Sequence, residues 1–346
     1  MEFPRFISFT ITNVCNLRCR MCGQWSEEGY IYNGIKSPHP QMELADWKRL
    51  VDEVAAYDVA SILIRGGEPF LFPDLIELLD HIHSKGIYIS IDTNGTQLEK
   101  YAADLVRIGD MHITFSVDGP EEIHDQVRGV RGTYQKLKAN IALLHELEKD
   151  KERKISKSIC FTISPYSYRG LGEMPDVVRS MAIGSINIVP YYYFPTEVGK
   201  KYEEELEENF NCPAFSWKGF HHDDSGIDFN VFKDEYRKYL AGLDEVYDFP
   251  YMPLTEDDYR LWFGDATTPV GSLTCMNVEK LIDIQPNGDA NFCVDFPDYC
   301  IGNVKEASIE ALWNGSRASR FRSYRRERPL AICYRCGAKY ISELKV

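Results

Sequence analysis

Seven of the ten cysteines fall into two groups whose spacing could hold a metal centre. The first group reads Thr-Asn-Val-Cys15-Asn-Leu-Arg-Cys19-Arg-Met-Cys22-Gly. A structural zinc site closes with four ligands, so three thiolates leave it short. A cubane iron–sulfur cluster accepts three, because its fourth iron can take a ligand from outside the protein. Half of a split zinc site, completed by a distant His or Cys, is the alternative. The second group is Cys275, Cys293, Cys333 and Cys336. Its four thiolates can close a tetrahedral site, and on spacing alone zinc is the simpler occupant. KLIDI at 280–284 and DANFC at 289–293 flank Pro286-Asn287-Gly288, which predicts a hairpin that delivers Cys293. Cys160, Cys212 and Cys300 stand apart.

Elements must hold these residues in place. Short apolar runs at 6–12, 60–65, 87–92, 112–117, 158–163 and 185–190 read as strands. Helical patterns at 43–57, 73–84, 97–108, 134–148 and 172–181 separate them. Strand and helix in alternation predict an α/β fold with a parallel sheet and right-handed crossovers. Six such units make a partial (β/α) barrel rather than a closed one of eight. The unusual residues follow strands: the cysteine loop the first, Gly66-Gly67-Glu68-Pro69 the second, Thr93-Asn94-Gly95 the third, Asp118-Gly119 the fourth. Ligands bind at that rim of parallel α/β folds. Residues 305–314 read as a helix before the Cys333-Tyr-Arg-Cys336 knuckle, and 229–242 as an amphipathic helix. The run His221-His222-Asp223-Asp224 is read as a solvated loop.

The chain has 346 residues, 39 basic and 53 acidic, for a net charge of −14. That surface repels phosphate backbones and anionic lipid, so neither nucleic acid nor membrane is expected as a partner. No run of 18 apolar residues could span a bilayer, and no signal peptide precedes Phe6. The expected location is the cytoplasm, where clustered thiols are metal ligands more often than disulfides.

With Cys15-x3-Cys19-x2-Cys22 after the first strand and Gly66-Gly67-Glu68-Pro69 after the second, the sequence resembles a radical S-adenosylmethionine enzyme over residues 5–190. The resemblance implies a [4Fe–4S] cluster on Cys15, Cys19 and Cys22, with S-adenosylmethionine on the open iron. It places Gly66, Gly67 and Glu68 along the methionyl amine, and Ser116 and Arg128 near the ribose and the methionyl carboxylate. Asn94 is a further cofactor-binding candidate. The reduced cluster would cleave the nucleotide to a 5′-deoxyadenosyl radical that abstracts a hydrogen atom from substrate. The second cysteine group resembles the twitch subdomain, the shorter relative of SPASM. It implies one auxiliary [4Fe–4S] cluster, fully ligated by Cys275, Cys293, Cys333 and Cys336.

The organisation expected is then a barrel over 1–194, an acidic and aromatic insertion over 195–270 covering its mouth, and a β-hairpin/helix iron–sulfur subdomain over 271–346. The expected substrate is a small polar molecule, carbohydrate-like among the candidates, undergoing oxidation or epimerisation with the auxiliary cluster accepting an electron. Asp295 is the candidate proton acceptor and Cys300 the candidate hydrogen-atom donor, with Asp298 and Tyr299 as possible cavity groups. Of Tyr191, Tyr192 and Tyr193, at least one should line the pocket. A flavodoxin or ferredoxin is the expected electron donor. A peptide-maturation enzyme is the first alternative, disfavoured because no leader-recognition domain fits before Phe6, and a non-catalytic zinc protein is the second.

Overall fold

The computed structural model describes residues 2–34, 41–249 and 252–337. Ten strands form one sheet in the order β10-β9-β8-β1-β2-β3-β4-β5-β6-β7. The first six are β1 (Phe6–Thr10), β2 (Ser61–Arg65), β3 (Tyr88–Thr93), β4 (Met111–Ser116), β5 (Ser156–Ile163) and β6 (Ser185–Pro190), all parallel. They are joined over the outer face by α1 (Leu44–Val54), α2 (Leu75–Ser84), α3 (Ala102–Ile108), α4 (Glu121–Arg128), α5 (Thr133–Leu147) and α6 (Met174–Ser180). Among the described residues no ladder joins β7 to β10, so the barrel is partial, as the strand count predicts.

Period-two alternation divides each strand between two environments. In β3, Ile89 and Ile91 are buried under the helices, whereas Tyr88, Ser90 and Asp92 line the concave cavity. In β4, Met111, Ile113 and Phe115 are buried, and His112, Thr114 and Ser116 line the cavity. The outer face therefore carries the barrel's apolar core, while polar side chains line its hollow.

Residues 195–270 hold α7 (Thr196–Phe210), α8 (Phe229–Ala241), β7 (Tyr247–Asp248) and α9 (Glu256–Gly264). β7 joins the sheet edge beside β6, and Phe220, Tyr247, Phe249 and Met252 enter the cavity wall. Tyr251 lies outside the described residues. The His221–Asp224 run is a surface network in which His221 Nε2 lies 2.9 Å from Thr196 Oγ1.

The C-terminal part brings α10 (Asn277–Lys280), β8 (Leu281–Ile284), β9 (Asp289–Asn291), β10 (Gly302–Asn303), α11 (Ile309–Asn314) and α12 (Ser316–Glu327). The predicted hairpin is β8–β9, closed by Gly288 N donating to Gln285 O at 2.9 Å, with Gly288 at φ 91°. It is not a separate appendage: β8 pairs in parallel with β1, from Phe6 opposite Leu281 to Phe9 opposite Ile284. The subdomain expected over 271–346 is thus fused to the barrel sheet, and residues 338–346 lie outside the described residues. No described helix is long and apolar enough to cross a membrane.

That fusion buries a carboxylate. Asp283 stands opposite Ser8 in the ladder, is 0% exposed, and accepts from Thr10 Oγ1 at 3.3 Å and Gln285 Nε2 at 2.5 Å. Burial pushes its carboxyl up to about 6, against the pull of Arg65. A carboxyl raised on folding stabilises fully below its unfolded value, and that contribution is lost as pH rises through the folded one. Asp283→Asn should remove about 3 kcal/mol of stability loss between pH 3 and pH 7. Urea denaturation across that range measures it, and identical pH profiles for parent and variant would refute the assignment.

Candidate active site

The first cysteine loop continues the β1–β2 ladder and is then pinned from three sides. Gly67 N donates to Thr12 O and Glu68 N to Val14 O, each at 2.8 Å. A Cβ on Gly67 would stand 2.3 Å from Val14 O, so only glycine lets this turn press on the loop. On the second side, Asn94 Nδ2 donates to Asn16 Oδ1 at 3.0 Å, and Asn16 Nδ2 to Thr96 Oγ1 at 2.9 Å. On the third, Arg20 N donates to Val127 O at 2.9 Å, at the end of α4. Gly129 stops that helix at φ 75°, and a Cβ there would meet Arg18 O at 2.8 Å.

Cys15, Cys19 and Cys22 all line one cavity of about 810 Å³. Burial pushes the Cys15 thiol up to about 12 and the Cys19 thiol up to about 11. Burial of anionic sulfur without compensation is unfavourable, and a bound metal core supplies that compensation. Arg128 offsets part of it: Nη1 donates to Cys19 Sγ at 3.5 Å, and Nη2 lies 2.6 Å from Asp118 Oδ2. Arg128 is therefore no surface charge but one half of a buried ion pair, and Asp118 Oδ1 in turn accepts from Thr162 N at 3.0 Å.

Removing one partner of a buried pair strands the other. Arg128→Met should cost about 3–5 kcal/mol in urea denaturation of the anaerobic protein. Asp118→Asn combined with Arg128→Met should recover most of that loss. No recovery in the double variant would show that Asp118 is not the group left stranded.

Glu68 is buried, with Oε1 accepting from Thr93 Oγ1 at 2.6 Å and from Phe70 N at 3.2 Å, and Oε2 from Asn94 N at 2.8 Å. Burial pushes its carboxyl up to about 7. Gly66, Gly67, Glu68, Asn94, Ser116 and Arg128 all line the cavity together with the three cysteines. Met21 lines it too, as do Tyr191 and Tyr192, while Tyr193 packs outside it with its hydroxyl on Trp262 O at 2.7 Å.

The second cysteine group converges as well. Cys275, Cys293, Cys333 and Cys336 line a void with apolar walls from Val278, Phe292, Phe321 and Ile332. Arg325 on α12 also lines this void; burial works against its charge, and the four half-buried thiolates beside it would outweigh that and hold the guanidinium charged. Cys212 and Cys300 lie elsewhere. Cys212 Sγ donates to Asp298 O at 3.0 Å, and Cys300 Sγ to Gly302 O at 3.1 Å. Among the described residues no three His, Cys, Asp or Glu side chains close on a single metal ion. Three thiols in the first set and four in the second match the donor counts of a cubane cluster with one open iron and of a fully ligated one.

Asp295 lines both the large cavity and the four-cysteine void, so it belongs to the wall they share. Arg65 Nη2 holds its Oδ1 at 2.9 Å. The structure does not bring Cys300 to the cavity, because its thiol is turned to the β9–β10 strand edge. Asp298 and Tyr299 do not line the cavity either. Asp298 is buried and accepts from Phe215 N at 2.6 Å, Ser216 N at 2.9 Å and Tyr202 Oη at 2.9 Å, which ties the insertion to the hairpin. Tyr299 Oη donates to Arg317 O at 3.1 Å.

Arg65, Asp92, His112, Ser158, Cys160 and Asn187 also line the cavity and were not among the candidates. Their signal is polar identity at every second position of an otherwise apolar strand. His112 sits between Ser156 Oγ at 3.0 Å and Ser158 Oγ at 2.8 Å, and burial lowers its pKa, keeping the ring neutral.

Comparison with known proteins bears on both centres. The Radical SAM superfamily profile matches residues 9–164, and the SPASM iron–sulfur cluster-binding domain profile matches residues 275–337. Fe-coproporphyrin III synthase of Methanosarcina barkeri is 28% identical over 181 residues, 52% of this chain and 42% of that protein. The chain thus spans less than half of that relative's length. Pre-heme d1 synthase of Dinoroseobacter shibae is 23% identical over 344 residues, 96% of this chain and 78% of that one. The structure of Streptococcus suis SuiB bound to precursor peptide SuiA superposes with a TM-score of 0.62 at 16% identity, covering 100% of this chain and 74% of that one. With the thiol loop, the rim and the four-cysteine void each in place, the chain carries a Radical SAM superfamily domain over residues 9–164 and a SPASM iron–sulfur cluster-binding domain over residues 275–337.

Proposed function

We propose that this chain cleaves S-adenosylmethionine and uses the resulting carbon radical to oxidise a small polar substrate that is neutral or cationic. The observation that carries this reading is the cavity wall. Its charged groups are Glu68, Asp92 and Asp295 against Arg65 and Arg128. Both guanidinium groups are engaged by carboxylates, Arg65 by Asp295 and Arg128 by Asp118. No lysine lines the described wall. A polycarboxylate would enter without a free cation to meet it, at a steep desolvation cost. Hydroxyls at Ser90, Thr114, Ser158 and Thr162, with the Asn187 amide, suit a ligand that hydrogen-bonds without negative charge.

Cys15, Cys19 and Cys22 would hold the cluster that supplies the electron for nucleotide cleavage. Cys275, Cys293, Cys333 and Cys336 would hold a centre that supplies a one-electron acceptor. The chain's own residues do the rest. Arg65 fixes the Asp295 carboxylate in the shared wall, where it can take the proton that the oxidised substrate releases. Glu68 and the glycine turn position the methionyl amine, and Arg128 with Asp118 steadies the loop that holds the cluster. The nominated hydrogen-atom donor, Cys300, faces away from the cavity, so an epimerisation would have to draw its hydrogen atom from Cys160, the remaining thiol of the wall outside the first cysteine loop.

The test is formation of 5′-deoxyadenosine by reduced, anaerobic protein given S-adenosylmethionine and candidate substrates. A deuterated aminopolyol should stimulate formation and pass deuterium into the nucleoside. A polycarboxylate tetrapyrrole should not. The second reading, peptide maturation, is supported by the likeness to a fold that holds a precursor peptide. Stimulation and deuterium transfer from a peptide alone would replace the first reading with it.

A further inference from the structure

We propose that the outward face of α12 is a docking surface for an acidic one-electron carrier protein that exchanges electrons with the four-cysteine centre. This rests on the reading that the centre takes part in electron transfer. The chain is strongly acidic, yet residues 316–328 hold six arginines against one glutamate. Arg322 and Arg325 are buried, whereas Arg317, Arg320, Arg326 and Arg328 are exposed.

The exposed arginines are held in place by rings. Arg317 lies over Tyr299 at 4.9 Å, Arg320 over Phe210 at 5.6 Å and Arg328 over Tyr324 at 4.6 Å. Among the described residues only Arg326 of these four has a carboxylate partner, Glu279 at 2.8 Å. Three guanidinium groups are therefore fixed at the surface and not neutralised by an ion pair.

The inner face of the same helix supplies the redox connection. Phe321 and Arg325 line the four-cysteine void. A helix is about 10–12 Å across with its side chains, so a protein seated on the arginines lies within electron-transfer reach of that void. α7, whose Glu204, Glu207 and Glu208 are exposed, meets the patch through Asn209 and Phe210, and its negative charge disfavours an anionic partner on that side. One electron passes from the reduced centre to the oxidised carrier, with no proton or bond change required.

The experiment uses holoprotein reconstituted anaerobically and reduced with photoexcited 5-deazariboflavin, which carries no charge. It is mixed with an oxidised flavodoxin, an acidic probe, and semiquinone formation is followed. The parent rate should fall steeply with salt, and Arg317→Gln/Arg320→Gln/Arg328→Gln should slow exchange about tenfold at low salt and flatten the salt dependence. Iron content and reduction by deazariboflavin should be unchanged. Should the triple variant lose iron, Arg317→Gln and Arg320→Gln singly, beside the parent's salt series, carry the test. Exchange at the parent rate in the variants, or a parent rate indifferent to salt, overturns the proposal. So does competition by a single-stranded oligonucleotide that is as strong as competition by apo-flavodoxin, since the patch would then be a general polyanion site. If Cys336→Ala protein exchanges as fast as the parent, electrons do not pass through the four-cysteine centre, and the underlying reading fails independently of the surface.

Discussion

The Cys19→Ala chain is expected to hold about half the iron of the parent, whose two cubanes carry about eight per chain. It should form no 5′-deoxyadenosine. Cys19 is the most buried thiol of its loop and the one that Arg128 contacts. Its removal leaves Cys15 and Cys22, and two thiolates cannot retain a cubane while one iron stays open to the nucleotide. The change should be local, because the loop is fixed by backbone and amide contacts that do not involve this sulfur. Iron analysis, anaerobic spectroscopy and chromatography of the nucleoside measure the outcome. Undiminished 5′-deoxyadenosine formation by the Cys19→Ala protein would falsify the assignment of the first centre.

What was legible in the sequence, and what was not, follows from where the signals lie. The six core strands are short, apolar and separated by periodic helices, so β1 to β6 stand where the pattern puts them. The cysteine loop and the Gly66-Gly67 turn are contiguous, and their meeting follows from strand order alone. The Arg128–Asp118 pair was half visible: Arg128 could be placed by resemblance, but its burial needed α4. That helix is bounded by Pro120 and Gly129, a signal too short to weigh beside the long α5 pattern. α12 was hidden for a physical reason. Its buried stripe is Ala318, Phe321, Arg322 and Arg325, and two arginines at core-facing positions break the apolar period. They can be buried because Arg322 donates to Val278 O and Trp313 O and Arg325 Nη1 to Arg328 O, each at 2.6 Å. The β1–β8 pairing joins residues some 270 positions apart, and no local pattern announces it. Without that pairing the C-terminal cysteines read as a subdomain apart, when in fact they share Asp295's wall with the cavity.

The Cys336→Ala chain should separate the two centres in the opposite sense. The four thiols are not equivalent in the fold. Cys293 follows the hairpin fused to the barrel through β8 and β1, so its loss threatens the cavity wall and Asp295 two residues on. Cys336 ends a short turn at Ala331–Arg335, beyond the sheet. Removing its sulfur takes one ligand from the second centre and leaves the barrel ladders and all three thiols of the first loop untouched. Cleavage of S-adenosylmethionine should stay within about tenfold of the parent, since one factor of ten corresponds to only about 1.4 kcal/mol of barrier. Oxidised product should fall by more than about a hundredfold, because a substrate radical without a one-electron acceptor reverts or is quenched. The variant should thus consume nucleotide without turning over substrate, seen as a rising ratio of 5′-deoxyadenosine to product. Equal loss of both would mean that the second centre serves the stability of the first rather than the oxidation step. Product formation at the parent's rate would remove the four-cysteine centre from the reaction altogether.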